Sequence, residues 1–184
     1  MPNNIRIQPL YLPNGPTPAD FNIAESDWRY PGMIGGTATF VFGAGTAADP
    51  KASKNVQLVR TDSTMTTAPF NGATAWWQNR LTYRVTTATT NRGQVAGVFL
   101  GDVTPGRLAI IQTGGRHPAV KFIDAVTSTP DATGKFVIPS ATAGKADAIA
   151  AGTASTYPVM GLSAGTYDAA GTTCAVDLQI PQVF

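Results

Sequence analysis

One glutamate, one histidine and one cysteine occur in the 184 residues, and charged side chains of all kinds make up only 13%. Each scarcity excludes something. A lone Cys174 leaves no intrachain disulfide framework and no thiolate metal cluster. A single His117 with ten scattered aspartates offers no recognisable ligand spacing, so no metal and no cofactor is expected. Glutamate, lysine, leucine and arginine are the usual filling of helix surfaces, and their shortage argues against a helical bundle or coiled coil. No apolar run approaches the roughly 18 residues of a membrane span, and the polar first twenty residues lack a signal-peptide core. The cytoplasm is therefore the expected place of synthesis, with no membrane partner.

What fills the chain instead is small. Counting gives 25 Thr, 27 Ala and 19 Gly, 71 of 184 positions, whereas Leu, Ile, Val and Phe together supply 39. Such a lean apolar content borders on disordered compositions, but disorder also calls for high net charge, and here it is +2. The reading is an all-β chain rich in turns, with a sparse core completed against other subunits. The same +2, with no Lys/Arg run, is a poor electrostatic footprint for nucleic acid despite a pI near 8.8, so none is expected as a partner.

The first 31 residues read differently from residues 32–184, which form the expected β-domain. Pro2, Pro9, Pro13, Pro16, Pro18 and Pro31 fix φ and remove backbone donors, so this segment forms neither a central strand nor a long helix. Yet Tyr11, Phe21, Trp28 and Tyr30 are too large and apolar for a solvated linker. The segment is expected to be an extended Pro-rich N-terminal arm lying on its own domain or a neighbour's, with Tyr11, Phe21, Trp28, Arg29 and Tyr30 as candidate partner or subunit contacts.

Beyond the arm, short β-runs alternate with Gly, Pro, Asn and Asp: 37–42, 56–61, 81–87, 95–100, 108–113, 120–123, 135–138, 159–162 and 174–180. Leu81, Tyr83 and Val85 alternate with Thr82, Arg84 and Thr86, and Cys174, Val176, Leu178 and Ile180 with Ala175, Asp177 and Gln179, which predicts one buried face in each. Continuously apolar Leu108 to Ile111 suits a strand covered on both faces. Helical signals, at 143–151 and around Trp76-Trp77 in 74–80, are weak. Asn71-Gly72, Pro105-Gly106 and Gly114-Gly115 read as turns. Two stretches, 95–112 and 159–179, share a strand, Gly-rich reversal, strand rhythm, either as a true repeat or as a common hairpin style.

Motifs that carry chemistry dissolve on inspection. Gly161-Leu162-Ser163-Ala164-Gly165 has the G-x-S-x-G pattern of a nucleophile elbow, but no histidine follows Ser163 and the next residues read as a turn rather than a helix. Gly43-Ala44-Gly45-Thr46-Ala47-Ala48 loosely matches a dinucleotide fingerprint, but Asp49-Pro50-Lys51 interrupts the helix that would receive the pyrophosphate. Gly144-Lys145 lacks the rest of a P-loop. Trp76 and Trp77 could form an aromatic platform for a sugar or base, with core or subunit packing as the plainer reading. No enzyme activity is expected.

One likeness remains. Arg92-Gly93-Gln94-Val95-Ala96-Gly97-Val98 with Gly106-Arg107-Leu108-Ala109-Ile110-Ile111-Gln112-Thr113-Gly114-Gly115, then Val137 to Asp147 and Val159-Met160-Gly161, resemble small structural proteins of tailed bacteriophages, in particular head decoration or cement proteins. The likeness covers roughly half the chain and rests on a Gly-rich strand-turn rhythm. It implies a compact β-barrel or β-sandwich, a virion protein made in the host cytoplasm and placed on the capsid outer surface, commonly as a homotrimer, clamping neighbouring major capsid subunits; the arm residues named above are then candidate capsid contacts. A module of a phage tail or fibre recognising carbohydrate or a host surface is the alternative.

Overall fold

The computed structural model describes residues 22–28, 31–41 and 53–180. Among the described residues ten strands form one antiparallel-dominated sheet: β1 Thr37–Val41, β2 Ser53–Thr61, β3 Thr74–Asn79, β4 Arg84–Thr86, β5 Val95–Phe99, β6 Leu108–Lys121, β7 Phe136–Pro139, β8 Ala146–Ile149, β9 Gly161–Ser163 and β10 Thr173–Gln179. Their spatial order is β1-β2-β4-β3-β5-β6-β10-β9-β7-β8, and a further pairing of β2 with β6 closes β2, β4, β3, β5 and β6 into a five-stranded barrel. Strands β10, β9, β7 and β8 extend the sheet beyond it. The expected all-β barrel is therefore the architecture. Among the described residues the only helical pieces are 3-10 turns, and no helix is long and apolar enough to cross a membrane.

Strand β6 links the two halves. Its 14 residues span about 46 Å at roughly 3.3 Å each. Its first half pairs with β2, from Leu108 opposite Arg60 to Gly114 opposite Asn55, and its second half with β10, from Gly114 opposite Gln179 to Lys121 opposite Thr173. The handover falls at Gly114-Gly115, expected as a turn. The pair instead bends a continuing strand: Gly115 takes φ +79°, and a Cβ on Gly114 would crowd Asn55 at 3.0 Å. Buried Gln112 ties the bend down, its Nε2 donating to the carbonyls of Gly114 at 3.1 Å and Gly115 at 3.0 Å. Asn71-Gly72 and Pro105-Gly106 do turn, each glycine at positive φ.

Two apolar clusters follow from this path. The barrel interior holds Val59, Ala73, Ala75, Trp77, Val85, Ala96, Phe99, Val103, Ala109 and Ile111. A barrel of only five strands is narrow, so Trp77 and Phe99 fit because four of the other residues are alanine. The second cluster joins Trp76 of β3 and Val98 of β5 to Val137, Ala146, Ala148, Cys174, Val176 and Leu178 of the extension. The barrel wall is thus covered on both faces at β3 and β5, and of the continuously apolar run Leu108, Ala109 and Ile111 are fully buried while Ile110 is half-buried. Cys174, Val176, Leu178 and Ile180 are likewise buried.

Two further expectations are corrected. The weakly helical 74–80 and 143–151 stretches are β3 and β8, because adjacent Trp76 and Trp77 must enter cores on opposite sides, and only a strand turns successive side chains to opposite faces. The run 81–87 is strand only at Arg84–Thr86, and Leu81 is 93% exposed at the tip of a turn. The two Gly-rich stretches form the β5–β6 and β9–β10 hairpins, which meet through the β6–β10 pairing.

Candidate functional site

Residues singled out by chemistry are mostly absorbed by structure. Ser163 ends β9 with its hydroxyl buried: Oγ donates to the carbonyl of Asp131 at 2.6 Å and accepts the backbone N–H of Lys135 at 2.9 Å and of Asp131 at 3.3 Å. One donor and two acceptor positions are a hydroxyl's whole capacity, so this oxygen anchors the 131–135 turn. Gly161, first glycine of the same motif, passes so close to β10 that a Cβ would stand 2.1 Å from the carbonyl oxygen of Asp177. His117 is buried on β6 opposite Val176, its Nδ1 accepting the N–H of Ala119 at 3.2 Å. The Cys174 thiol lies in the second cluster, where burial pushes its pKa up. Lys145 pairs with Asp124 at 3.2 Å. Among the described residues no three His, Cys, Asp or Glu side chains gather as a metal site would require.

Trp76 and Trp77 are corrected as an aromatic platform. Their exposures are 0% and 4%, on opposite faces of β3, so neither ring is offered to a sugar or base. The carbohydrate-module alternative loses the residues that carried it. Of the arm candidates, Tyr11, Phe21, Arg29 and Tyr30 lie outside the described residues, as does the 43–48 glycine motif. Trp28 is half-buried and closes a 3-10 turn at Glu25–Asp27.

That turn belongs to a short piece of chain, 22–28, held against the barrel by several independent contacts. Ile23 bridges Leu108, accepting its N–H at 2.9 Å. Asn22 accepts the N–H of Thr104 at 3.0 Å through Oδ1, and Arg107 donates to the Asn22 carbonyl at 2.9 Å. A shallow open groove of about 500 Å³ runs beside Asn22 past Phe70, Asp102, Val103 and Pro105, and the Asp102 carboxylate in it already accepts the N–H of Asn71 at 2.9 Å.

The most unusual surface lies where 22–28 meets the β3–β4 turn. Arg60 stands opposite Arg84 in the parallel β2–β4 register, and exposed Arg80 opens the turn that leads into β4. The chain's only glutamate answers them: Glu25 accepts a hydrogen bond from Arg60 Nε and pairs with Nη2, and that hydrogen bond first, then the Arg60 and Arg84 charges, hold its pKa below the ordinary carboxylate value against the opposing effect of burial. Arg60 also donates to the carbonyl of Thr82 at 2.9 Å. Above this cluster Leu81 stands free of the barrel. Sequence reasoning missed the site because Leu81 continues an apolar alternation with Tyr83 and Val85; the available signal was Asn79, whose Oδ1 accepts the Thr82 N–H at 3.2 Å and starts a turn.

No family model, no curated protein and no solved structure matches the chain.

Proposed function

We propose that the protein is a structural virion component that decorates and stabilises the outer surface of a tailed-phage icosahedral capsid by clamping neighbouring major capsid subunits, acting as a homotrimer. The observation that carries the reading is where the phage-like stretches fall. Residues 92–115 make the β5–β6 hairpin, 137–147 run from β7 into β8, and 159–161 enter β9, so the resemblance lies in strands of one continuous sheet. The strands of the extension supply much of the second core, while the polar groups that suggested chemistry serve folding. A small rigid barrel repeated many times over a shell gains by multivalency, each modest contact adding to a lattice-wide total.

The test begins with purified virions of the encoding phage: the protein should be present at a fixed high copy number relative to the major capsid protein. Shells lacking it should bind the purified protein saturably and melt at higher temperature once decorated. Absence from virions together with no binding to shells rejects the reading.

A further inference from the structure

We propose that Leu81, carried by the β3–β4 turn between Arg80 and Arg84, is the knob that enters an apolar socket rimmed by carboxylates on a major capsid subunit; this rests on the decoration reading above. Leu81 is 93% exposed, against 39% for Val159, the other exposed large apolar side chain among the described residues. A single exposed leucine is ordinary on a protein surface. What sets this one apart is the effort that holds it out.

The turn is fixed from every side. Asn79 Oδ1 accepts the Thr82 N–H, Arg60 donates to the Thr82 carbonyl, and the Tyr83 N–H donates to the Arg80 carbonyl at 3.2 Å. Tyr83 itself is in the left-handed region at φ 52°, a conformation that disfavours a bulky residue, and its carbonyl accepts the Arg60 N–H at 2.9 Å. Its ring lies over Gly35, itself at φ +86°, where a Cβ would approach to 2.4 Å. Strain of this kind persists only where the surroundings over-determine it, and it concentrates at binding and switch sites. A side chain so presented loses little backbone freedom on docking, which removes much of the entropy that weakens flexible contacts.

Charge selects the occupant. Arg80 and Arg84 are exposed, and among the described residues neither is ion-paired, while Arg60 and Glu25 satisfy one another. An apolar tip flanked by two such cations suits a socket with acidic edges, where the leucine supplies affinity and the arginines speed and orient the encounter. Two copies of the same corner would repel, which disfavours a second copy of this chain meeting it face to face.

The experiment uses the full chain and shells of the encoding phage stripped of it. L81M should bind within about threefold of the wild type, while L81D and the double variant R80E/R84E should weaken saturable binding about tenfold or more. All should melt within a degree or two of the wild type, because these side chains touch solvent. Wild-type affinity should also fall with added salt, and more steeply than that of R80E/R84E. If the wild type binds and L81D binds equally well, the knob is refuted and the decoration reading stands. If the wild type fails to bind, both fall. If L81D instead dissolves a wild-type oligomer in the absence of shells, a second copy is the occupant and the proposal is overturned.

Discussion

Glu25 Oε1 accepts a hydrogen bond from Arg60 Nε at 2.8 Å and lies 2.7 Å from Nη2 of the same guanidinium, an ion pair that fastens the chain ahead of the barrel to strand β2. The Glu25 side chain is 48% exposed and that of Arg60 24%, so solvent screens the pair and its worth is about 0.5 kcal/mol. The Glu25 pKa is lowered on folding, so the stabilisation is fully present above the unfolded value of 4.5 and is lost as pH falls through the lower folded value. Glu25→Gln should lower Tm by about 1–2 °C at pH 7, and the gap between the two proteins should close as pH falls below 4.5 and through the lower folded value. A gap that persists into strong acid would mean the contact acts through packing rather than charge.

Truncation separates the contacts of 22–28 from whatever precedes them. A chain beginning at Asn22 keeps the Ile23–Leu108 bridge, the Asn22–Thr104 bonds and the Glu25–Arg60 pair. One beginning at Gly32 loses all of them and leaves the fully buried Leu108 with its N–H partner gone. The shorter chain should still fold, with Tm about 4–8 °C below that of the chain from Asn22, corresponding to about 2 kcal/mol. Equal melting temperatures would show that 22–28 adds nothing to the barrel.

Much of the architecture is legible locally, and the failures share one cause. The alternation Cys174, Val176, Leu178 reads correctly because β10 lies beside β6 with one face on a core, the situation that a period of two encodes. Leu81 breaks the same rule because period says nothing about where a strand stops, and Asn79 ends β3 before the alternation resumes. Trp76-Trp77 is ambiguous in sequence: two adjacent aromatics mean a platform if one face is wet and a double core if neither is. Closure of β2 onto β6, a contact between residues about fifty apart, dries the Trp77 face, and packing of the extension strands covers Trp76. Gly114-Gly115 misleads for a similar reason, since a diglycine that bends a strand and one that ends it look alike until the second partner strand is known.

The tryptophans give a direct check of the two cores. Trp76→Ala and Trp77→Ala each remove a buried ring from a different cluster, and each should cost about 3–5 kcal/mol, measured by denaturant unfolding. Because the clusters lie on opposite sides of β3, Trp76→Phe and Trp77→Phe, the milder replacements, should be nearly additive when combined. Tolerance of either alanine variant without loss of stability would contradict the burial.

The G-x-S-x-G segment should behave as a packing motif. Ser163→Ala leaves the Lys135 N–H and the Asp131 carbonyl without their buried partner, a loss of about 1–3 kcal/mol. Gly161→Ala forces a methyl group into the Asp177 carbonyl and should cost about 3 kcal/mol, at the upper end for overpacking. Both losses should appear in unfolding curves, and the glycine variant should be the worse. Ser163→Ala melting like the wild type would show that its hydroxyl anchors nothing.

Cys174 gives the last test, because its thiol is both buried and raised in pKa by that burial. Little thiolate forms at neutral pH and little reagent reaches it, so a disulfide reagent should react negligibly with the folded protein and stoichiometrically once guanidinium unfolds it. The sulfur lies 3.3 Å from the carbonyls of Gly165 and Ala175, so a serine hydroxyl would find an acceptor already in place. Cys174→Ser should therefore cost only about 1 kcal/mol, the loss of a small apolar contact softened by a new hydrogen bond. Rapid labelling of the folded protein would mean that the second cluster opens readily, and the stability losses expected for Trp76→Ala would then have to be smaller as well.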